Sequence, residues 1–224
     1  DSSRNLLWLA DTGLGLPDRD SYTNTDDAAV ALRAAYVDHV AAQLANAGIE
    51  GDVAALAAQV LDLETRWAGL QLRAEEKRDP GRTLNRHDLA ELTALAPELG
   101  LPGYLQAVGA GAAETVNVMN PPSLAALHGI IAATDVAALR AYLAFHVVRT
   151  AADALPTAFD DEDFAFYGTR IRGQQEQHER IKRVTDAISS DMGEALSQRF
   201  VDITFSPAAK ERALHMTQAI IAEL

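Results

Sequence analysis

The sequence contains no cysteine, and few of its residues are aromatic. The absence of cysteine excludes disulfide bonds, thiolate nucleophiles and every zinc or iron–sulfur site with sulfur ligands. Aromatic residues make up only 6% of the 224 residues, so the 48% hydrophobic fraction is mostly aliphatic and rich in alanine. Alanine favours helices because it loses no side-chain entropy on entering one.

Basic residues are in the minority as well. The 19 lysines and arginines face 32 aspartates and glutamates, which gives a formal net charge of −13. A chain of this charge is repelled by phosphate backbones and by anionic lipids. No stretch approaches the roughly 20 apolar residues that cross a bilayer. We therefore expect no nucleic-acid partner and no membrane contact from this segment.

Apolar residues recur at spacings of three and four, which is the pattern of amphipathic helices. The clearest example is residues 53–70. Three charged side chains in this segment are predicted to point away from the apolar stripe: Asp62, Glu64 and Arg66. Gly48 and Gly51 separate this segment from a preceding helical one, and Asp52 is a plausible N-cap. The two segments are predicted to form an antiparallel helical hairpin.

Other segments carry similar signals. The predicted N-caps include Asn85, Thr134 and Ser206. We predict one short strand at residues 115–119, and helices over residues 30–44, 53–70, 85–95, 101–108, 121–131, 136–155, 160–172, 181–196 and from Pro207 onward. The sequence therefore predicts an all-α fold, a multi-helix domain of antiparallel amphipathic helices with at most one short strand or hairpin. Residues 1–224 are expected to form a single helical domain.

The six histidines offer no recognisable metal site. None lies in an H-E-x-x-H motif, and the nearest approach runs from His178 to Lys182, where lysine takes the place of the second ligand. His178 is predicted to be an exposed polar residue on a helix. His146 lies on the apolar side of its helix, and we predict a hydrogen-bonded structural role for it.

An acidic segment and two glycine-containing segments also lack the pattern of a binding site. The acidic residues 160–163 lack the spaced ligands and the glycine of a calcium loop, and they are predicted to complement the dipole at a helix start. The glycines of residues 13–17 and 109–111 match no phosphate-binding pattern and are predicted to form turns. No G-x-S-x-G element is present. We predict no catalytic residue, no cofactor-binding residue and no metal ligand in this chain.

Several short segments nevertheless occur in a familiar order. They are GLGLPDRDSY at 13–22, VLDLE at 60–64, KRD at 77–79, TLN at 83–85, VNVMNPP at 116–122, LRAYL at 139–143, FYG at 166–168, RIKR at 180–183, RFV at 199–201 and FSP at 205–207. Together they resemble the neprilysin family of zinc metalloendopeptidases, peptidase family M13, in its bacterial-type form. The resemblance covers nearly the whole chain.

The chain departs from the family pattern at a few positions. Ser21 and Leu84 stand where the family commonly has tyrosine, and Ile181 stands where it commonly has tryptophan. The cysteines of animal members are also missing. These differences affect local packing more than the resemblance as a whole.

The resemblance implies a non-catalytic role. In that family these segments form most of the helical N-terminal domain, which encloses a cavity and restricts substrates to peptides and small proteins. Zinc and its ligands are then expected in a catalytic domain that is absent from this chain. An upstream segment of the same N-terminal domain is also expected to be absent. The implied partners are the catalytic domain of the same parent chain and peptide substrates. The fragment alone is expected to be inactive, and the resemblance alone favours an extracytoplasmic or secreted location. A free-standing helical protein-interaction module without a link to proteolysis remains the alternative.

Overall fold

Helices make up most of the protein in a computed structural model, which describes residues 5–223. The predicted all-α class is confirmed. The described helices are α1 (Asp20–Thr23), α2 (Asp27–Asn46), α3 (Val53–Leu70), α4 (Pro80–Thr83), α5 (Leu89–Leu95), α6 (Leu101–Ala107), α7 (Pro121–Ala132), α8 (Val136–Ala151), α9 (Thr157–Asp163), α10 (Arg180–Asp191), α11 (Gly193–Thr204) and α12 (Pro207–Glu223). A π-helix, Phe164–Ile171, follows α9 directly.

The chain divides into two compact units, Asp1–Gly173 and Gln174–Leu224. The first contains α1 to α9, the π-helix and a small sheet, and the second contains α10 to α12. The expectation of a single domain over residues 1–224 stays a prediction.

Three short strands form the sheet: β1 (Leu7–Leu9), β2 (Arg86–Asp88) and β3 (Thr115–Val118). The predicted strand, β3, is confirmed and lies in the centre. It runs parallel to β1 and antiparallel to β2, so that Val116 is opposite both Leu7 and His87. The side chain of Asn117 is buried, donates to the Thr83 carbonyl over 2.8 Å and accepts from the Asn85 amide over 2.6 Å. This side chain ties the loop before β2 to the middle strand.

The predicted helical hairpin forms a large part of the core of the first unit. Asp26 and Asp52 cap α2 and α3, each by accepting a hydrogen bond from the backbone N–H three residues on. Gly48 and Gly51, between the two helices, adopt positive φ angles that other residues rarely tolerate. The hairpin packs against α8 and the π-helix around one apolar cluster: Leu16, Tyr22, Tyr36, Val40, Leu44, Ala57, Val60, Ala68, Ala141, Phe145, Phe166 and Tyr167. A second cluster unites α5, α6 and the sheet: Leu92, Ala96, Leu101, Leu105, Val116 and Val118.

Two predicted helix starts are wrong. Asn85 does not cap a helix, because residues 86–88 pair with β3 instead and Asp88 begins α5 in a capping box with Glu91. Thr134 does not cap α8, since Asp135 accepts from the Ala137 amide over 2.7 Å. The Thr134 hydroxyl donates to the Ile130 carbonyl at the end of α7. Helix α8 also ends at Ala151, before the predicted residue 155.

The second unit contains three helices whose described side chains are all exposed or half-buried. The single helix predicted over residues 181–196 is divided at Met192 into α10 and α11. The predicted start of α12 is confirmed, because the Ser206 hydroxyl accepts from the Ala209 amide over 3.2 Å and Pro207 is the first helical residue.

Gly15 provides a test of core packing. A Cβ added there would overlap the hydroxyl of Tyr36, whose side chain is fully buried. We expect Gly15→Ala to lower the free energy of unfolding by about 1–3 kcal/mol through overpacking. Gly129→Ala is the matched control, because its Cβ would enter open space in the middle of α7 and should raise stability by up to about 1 kcal/mol. Urea unfolding measures both, and equal stability of the two variants would contradict this account.

Candidate functional site

A buried carboxylate lies at the centre of the first unit. Glu64 on α3 is fully buried, and its Oε2 accepts hydrogen bonds from the hydroxyls of Tyr22 (2.7 Å) and Tyr36 (2.8 Å). Its Oε1 lies 2.8 Å from Nε2 of His146 on α8. The prediction that Glu64 turns away from the apolar stripe is therefore wrong. The predicted hydrogen-bonded role of His146 is confirmed.

The tyrosines extend this network to the chain segment of residues 11–17. The Tyr22 hydroxyl accepts from the Leu16 amide over 2.7 Å while donating to Glu64. The Tyr142 hydroxyl donates to the Gly13 carbonyl over 2.7 Å, and the Tyr167 hydroxyl donates to the Gly15 carbonyl over 2.9 Å. Helix or strand hydrogen bonds are not available to this irregular segment, so these side chains satisfy its backbone groups.

Burial makes these tyrosines permanent donors at neutral pH. It raises the pKa of Tyr22 and Tyr36 far above the ordinary value, and the negative charge of Glu64 raises both further. Burial likewise raises the pKa of Tyr142 to about 12 and raises the pKa of Tyr167. The network therefore contains protonated hydroxyl groups around a carboxylate, which is an arrangement for holding backbone in place.

A buried histidine paired with a half-buried glutamate adjoins this core. Nδ1 of His39 lies 3.0 Å from Glu162, and its imidazole stacks on the Phe166 ring with centroids 4.7 Å apart. Burial, and then the positive charge of Arg149, lower the pKa of His39 to about 4, while burial raises the pKa of Glu162. At neutral pH this is a neutral imidazole bound to a carboxylate, so it fixes α2 against α9 without an ion pair.

The other histidines and the acidic segment of residues 160–163 do not converge on one site. His178 is exposed, but the prediction that it lies on a helix is wrong, because α10 begins only at Arg180. Of the acidic residues 160–163, Asp160 lies in the first turn of α9 as predicted, whereas Glu162 binds His39 later in the helix. The remaining histidines are distributed over β2, α7 and α12: His87, His128 and His215.

The glycine segments adopt the turns that were predicted for them. Residues 15–17 form a bend, and Gly109 follows the end of α6 with a positive φ angle. Neither segment lies between a strand and a long helix in the manner of a phosphate-binding loop. These glycine segments therefore change the direction of the chain between neighbouring elements.

The residues that the structure describes do not fit a zinc ion. Within residues 5–223 there is no group of three or more histidine, aspartate or glutamate side chains that could hold a metal ion. The Glu64 network contains one histidine and one carboxylate, whose oxygens are already bound to tyrosine and histidine. None of the described helices is both long and apolar enough to cross a membrane.

Comparison with known proteins finds similarity to one family of peptidases. The model of the N-terminal domain of peptidase family M13 matches residues 1–224. Endothelin-converting enzyme 1 of Cavia porcellus is 28% identical over 218 residues, which are 95% of this chain and 29% of the enzyme. The zinc metalloprotease Zmp1 of Mycobacterium tuberculosis in its open state superposes with a TM-score of 0.86 at 27% identity, over 95% of this chain and 33% of its own.

PepO from Lactobacillus rhamnosis HN001 shares the fold. It superposes with a TM-score of 0.85 at 21% identity, over 99% of this chain and 35% of its own. The chain thus spans about a third of the length of the proteins that it matches.

Four of the ten segments that carry the family resemblance meet around Glu64 and the chain segment of residues 11–17. Glu64 itself ends the segment 60–64, Tyr22 ends the segment 13–22, and Tyr142 and Tyr167 belong to the segments 139–143 and 166–168. Tyr22 donates to Glu64, while Tyr142 and Tyr167 donate to backbone carbonyls of the segment 13–22, although these residues are far apart in sequence. These four residues therefore help to fix the architecture of this unit.

Proposed function

The chain belongs to peptidase family M13, and on that premise we propose that it is the substrate-enclosing helical domain of a neprilysin-like zinc metalloendopeptidase. In this role it forms one non-catalytic domain that covers the active-site cleft and admits substrates by size. A peptide passes beneath such a cover, whereas a folded protein is too large to reach the metal. The match of the family model over residues 1–224 is the observation that carries this proposal.

The chemistry of the chain supports a non-catalytic role. Its most elaborate polar network is buried and binds its own backbone, as Tyr142 and Tyr167 show by donating to Gly13 and Gly15. The described residues also offer no cluster of metal ligands. We accordingly assign zinc and its ligands to another part of the parent polypeptide, whose relatives include the zinc metalloprotease Zmp1.

The second unit supports the proposed catalytic-domain partner. Helix α10 carries Ile181, Val184 and Ile188 at helical spacing, and all three side chains are exposed. Phe200, at 65% exposure, continues the apolar character on α11. Apolar stripes of this kind are stabilised when they pack against further protein. We propose that the catalytic domain of the same chain supplies that protein.

Cleavage of size-graded substrates tests the proposal. The polypeptide encoded by the complete reading frame around residues 1–224 would be purified and given one cleavable sequence in three settings. These are a short peptide, a surface loop of a stably folded protein, and the same protein after permanent unfolding. We expect chelator-sensitive cleavage of the short peptide and the unfolded protein, and little cleavage of the folded one. Residues 1–224 alone should cleave none of them and should bind no stoichiometric zinc.

Three results would count against distinct parts of the proposal. Equal cleavage of the folded protein and the short peptide would contradict the size-restricting role. A complete reading frame without chelator-sensitive activity would contradict the peptidase assignment and favour the interaction module. Robust chelator-sensitive cleavage by residues 1–224 alone would contradict the non-catalytic role.

A further inference from the structure

An apolar cleft with a single charged residue lies in the Asp1–Gly173 unit. Its volume is about 350 Å³, within the range of about 300–1,000 Å³ that is common for small-molecule sites. The walls come from the ends of β1 and β3 and from α3, α6 and α7, and leucines supply much of their surface. Asp11 is the one charged side chain among the described residues that line it.

The Asp11 carboxylate is held in place by a buried amide. Nδ2 of Asn120 donates to Oδ2 of Asp11 over 2.7 Å and to the carbonyl of Leu70 over 2.8 Å. Asn120 is only 6% exposed, so this support is fixed by its surroundings. Among the described residues, no basic side chain forms an ion pair with Asp11. The charge of Asp11 is therefore available to a ligand.

Two aromatic side chains complete the cleft. The indole N–H of Trp67 donates to the Thr12 carbonyl over 2.9 Å, which fixes the orientation of that ring. Tyr104 also lines the cleft and is 54% exposed. Aromatic faces attract cations, and tryptophan does so most strongly. Apolar walls accommodate the methylene stem of a long basic side chain.

The charge of the surrounding unit favours the same ligand. Residues 1–173 contain 24 aspartates and glutamates against 13 lysines and arginines, a net charge of −11. Such a field raises the local concentration of cationic peptides. A second cleft of about 790 Å³ in this unit carries Arg86 and Glu114 together, and so offers no net charge to a ligand.

We propose that the Asp11 cleft binds an arginine or lysine side chain of a peptide substrate. The proposal rests on the proposed function in one respect, because the peptide is taken to be a substrate of the parent enzyme. The cation lies against Trp67 and Tyr104 and pairs with Asp11, while its stem contacts the leucine walls. The cleft thereby gives the enzyme a preference for basic peptides at a point separate from bond cleavage.

Fluorescence of Trp67 tests binding directly. Trp8 and Trp67 are the two tryptophans, so Trp8→Phe leaves Trp67 as the sole reporter. The probes are three blocked tripeptides that differ only in the central residue, which is arginine, its neutral isostere citrulline, or leucine. We expect the arginine peptide to bind roughly tenfold more tightly than the other two, with an affinity that weakens as salt is added.

Two variants locate the interaction. Asp11→Asn keeps an oxygen for Asn120 to bind but removes the charge, so affinity for the arginine peptide should fall roughly tenfold. Tyr104→Leu should weaken it as well, without a core residue being disturbed. Asp62→Asn is the matched control, because it removes a charge from the exposed face of α3 outside the cleft and should leave affinity unchanged. Equal affinity for arginine and leucine peptides, or no effect of Asp11→Asn, would overturn the proposal.

The complete enzyme separates this inference from the proposed function. Asp11→Asn should raise KM roughly tenfold for an arginine-containing peptide, and it should raise KM for the citrulline analogue much less. An unchanged KM alongside full chelator-sensitive activity would contradict cation binding in the cleft and leave the proposed function intact. Absence of that activity would contradict the proposed function, while the fluorescence result would still decide whether the cleft binds cations.

Discussion

Replacement of Glu64 by leucine should lower the free energy of unfolding of the Asp1–Gly173 unit by about 3–5 kcal/mol. Leucine is close to glutamate in volume but offers no acceptor. The hydroxyls of Tyr22 and Tyr36 would then lose their common partner in a site without access to water. His146 would lose its partner as well. Each buried polar group left without a hydrogen bond costs about 1–3 kcal/mol.

Glutamine should preserve much of the network at the same position. Its side-chain oxygen accepts from both tyrosines, and its amide N–H donates to His146 in the tautomer with an unprotonated Nε2. We expect Glu64→Gln to cost about 1–2 kcal/mol, well below the cost of Glu64→Leu. Urea unfolding followed by tryptophan fluorescence reports on this unit, because Trp8 and Trp67 both lie in it.

A control and a double-mutant cycle sharpen this test. Asp62→Leu, two residues away on the exposed face of α3, should change stability by less than about 0.5 kcal/mol. Tyr36→Phe combined with Glu64→Leu should cost at least about 1 kcal/mol less than the sum of the two single changes. A cost of Glu64→Leu equal to that of Asp62→Leu would show that the buried network contributes nothing to stability.

The local elements of this fold were largely predictable from the sequence. The hairpin of α2 and α3 follows from apolar spacing, the two glycines between the helices and the Asp52 cap. The start of α12 follows from Ser206 and Pro207, and β3 follows from its β-branched alternation. These signals are contained within a few neighbouring residues, so no knowledge of tertiary packing is needed to use them.

Strands β1 and β2 were not predictable in this way. Each has only three residues, Leu7–Leu9 and Arg86–Asp88, and neither alternates apolar with polar side chains. Both exist because β3, far away in sequence, offers backbone partners on its two edges. An isolated segment of this length has no strand preference of its own that could be read locally.

The burial of Glu64 illustrates a different failure. Residues four apart share a helix face, so the position of Glu64 relative to Val60 already placed it beside the apolar stripe. A glutamate is charged at neutral pH and is rarely buried without a partner, so the sequence predicts it to lie away from the stripe. The partners that make burial favourable, Tyr22, Tyr36 and His146, lie 42, 28 and 82 residues away. The helical spacing was the one local signal for the burial of Glu64, whereas its distant partners cannot be identified from the sequence around it.

The buried network and the proposed cation cleft share the segment of residues 11–17. Asp11 and Thr12 line the cleft, whereas Gly13, Gly15 and Leu16 are bound by the tyrosines around Glu64. Rigid support behind a binding residue reduces the entropy lost when a ligand binds. Because the network holds the backbone directly after Asp11, it helps to fix the position of Asp11.

High pH should unfold this unit steeply, because its buried tyrosines resist ionisation. Tyrosine in the unfolded chain titrates near pH 10. Burial first, and the charge of Glu64 second, hold the pKa of Tyr22 and Tyr36 far above that value, and burial raises the pKa of Tyr167. Since the folded pKa values are raised, the stability that these residues contribute is fully present below pH 10. It is lost as pH rises toward the folded values.

The expected slope is large because three such groups act together. Each contributes about 1.4 kcal/mol per pH unit above pH 10, or roughly 4 kcal/mol per pH unit for the three. Tyr142 is partly exposed to solvent and adds less. The free energy of unfolding of a typical domain is about 5–15 kcal/mol, so it would fall to zero within a few pH units. Tyrosinate absorbance and far-UV circular dichroism, followed against pH, should therefore change together in one steep transition.

Tyr167→Phe isolates the contribution of one hydroxyl to this transition. The variant loses the hydrogen bond to the Gly15 carbonyl but leaves Glu64 and its direct donors in place. Above pH 10 its stability should fall less steeply than that of the unmodified chain, by about 1.4 kcal/mol per pH unit. Ionisation of the tyrosines while the helical signal stays intact would instead show that water reaches the Glu64 network, and the slopes of the two proteins would then be equal.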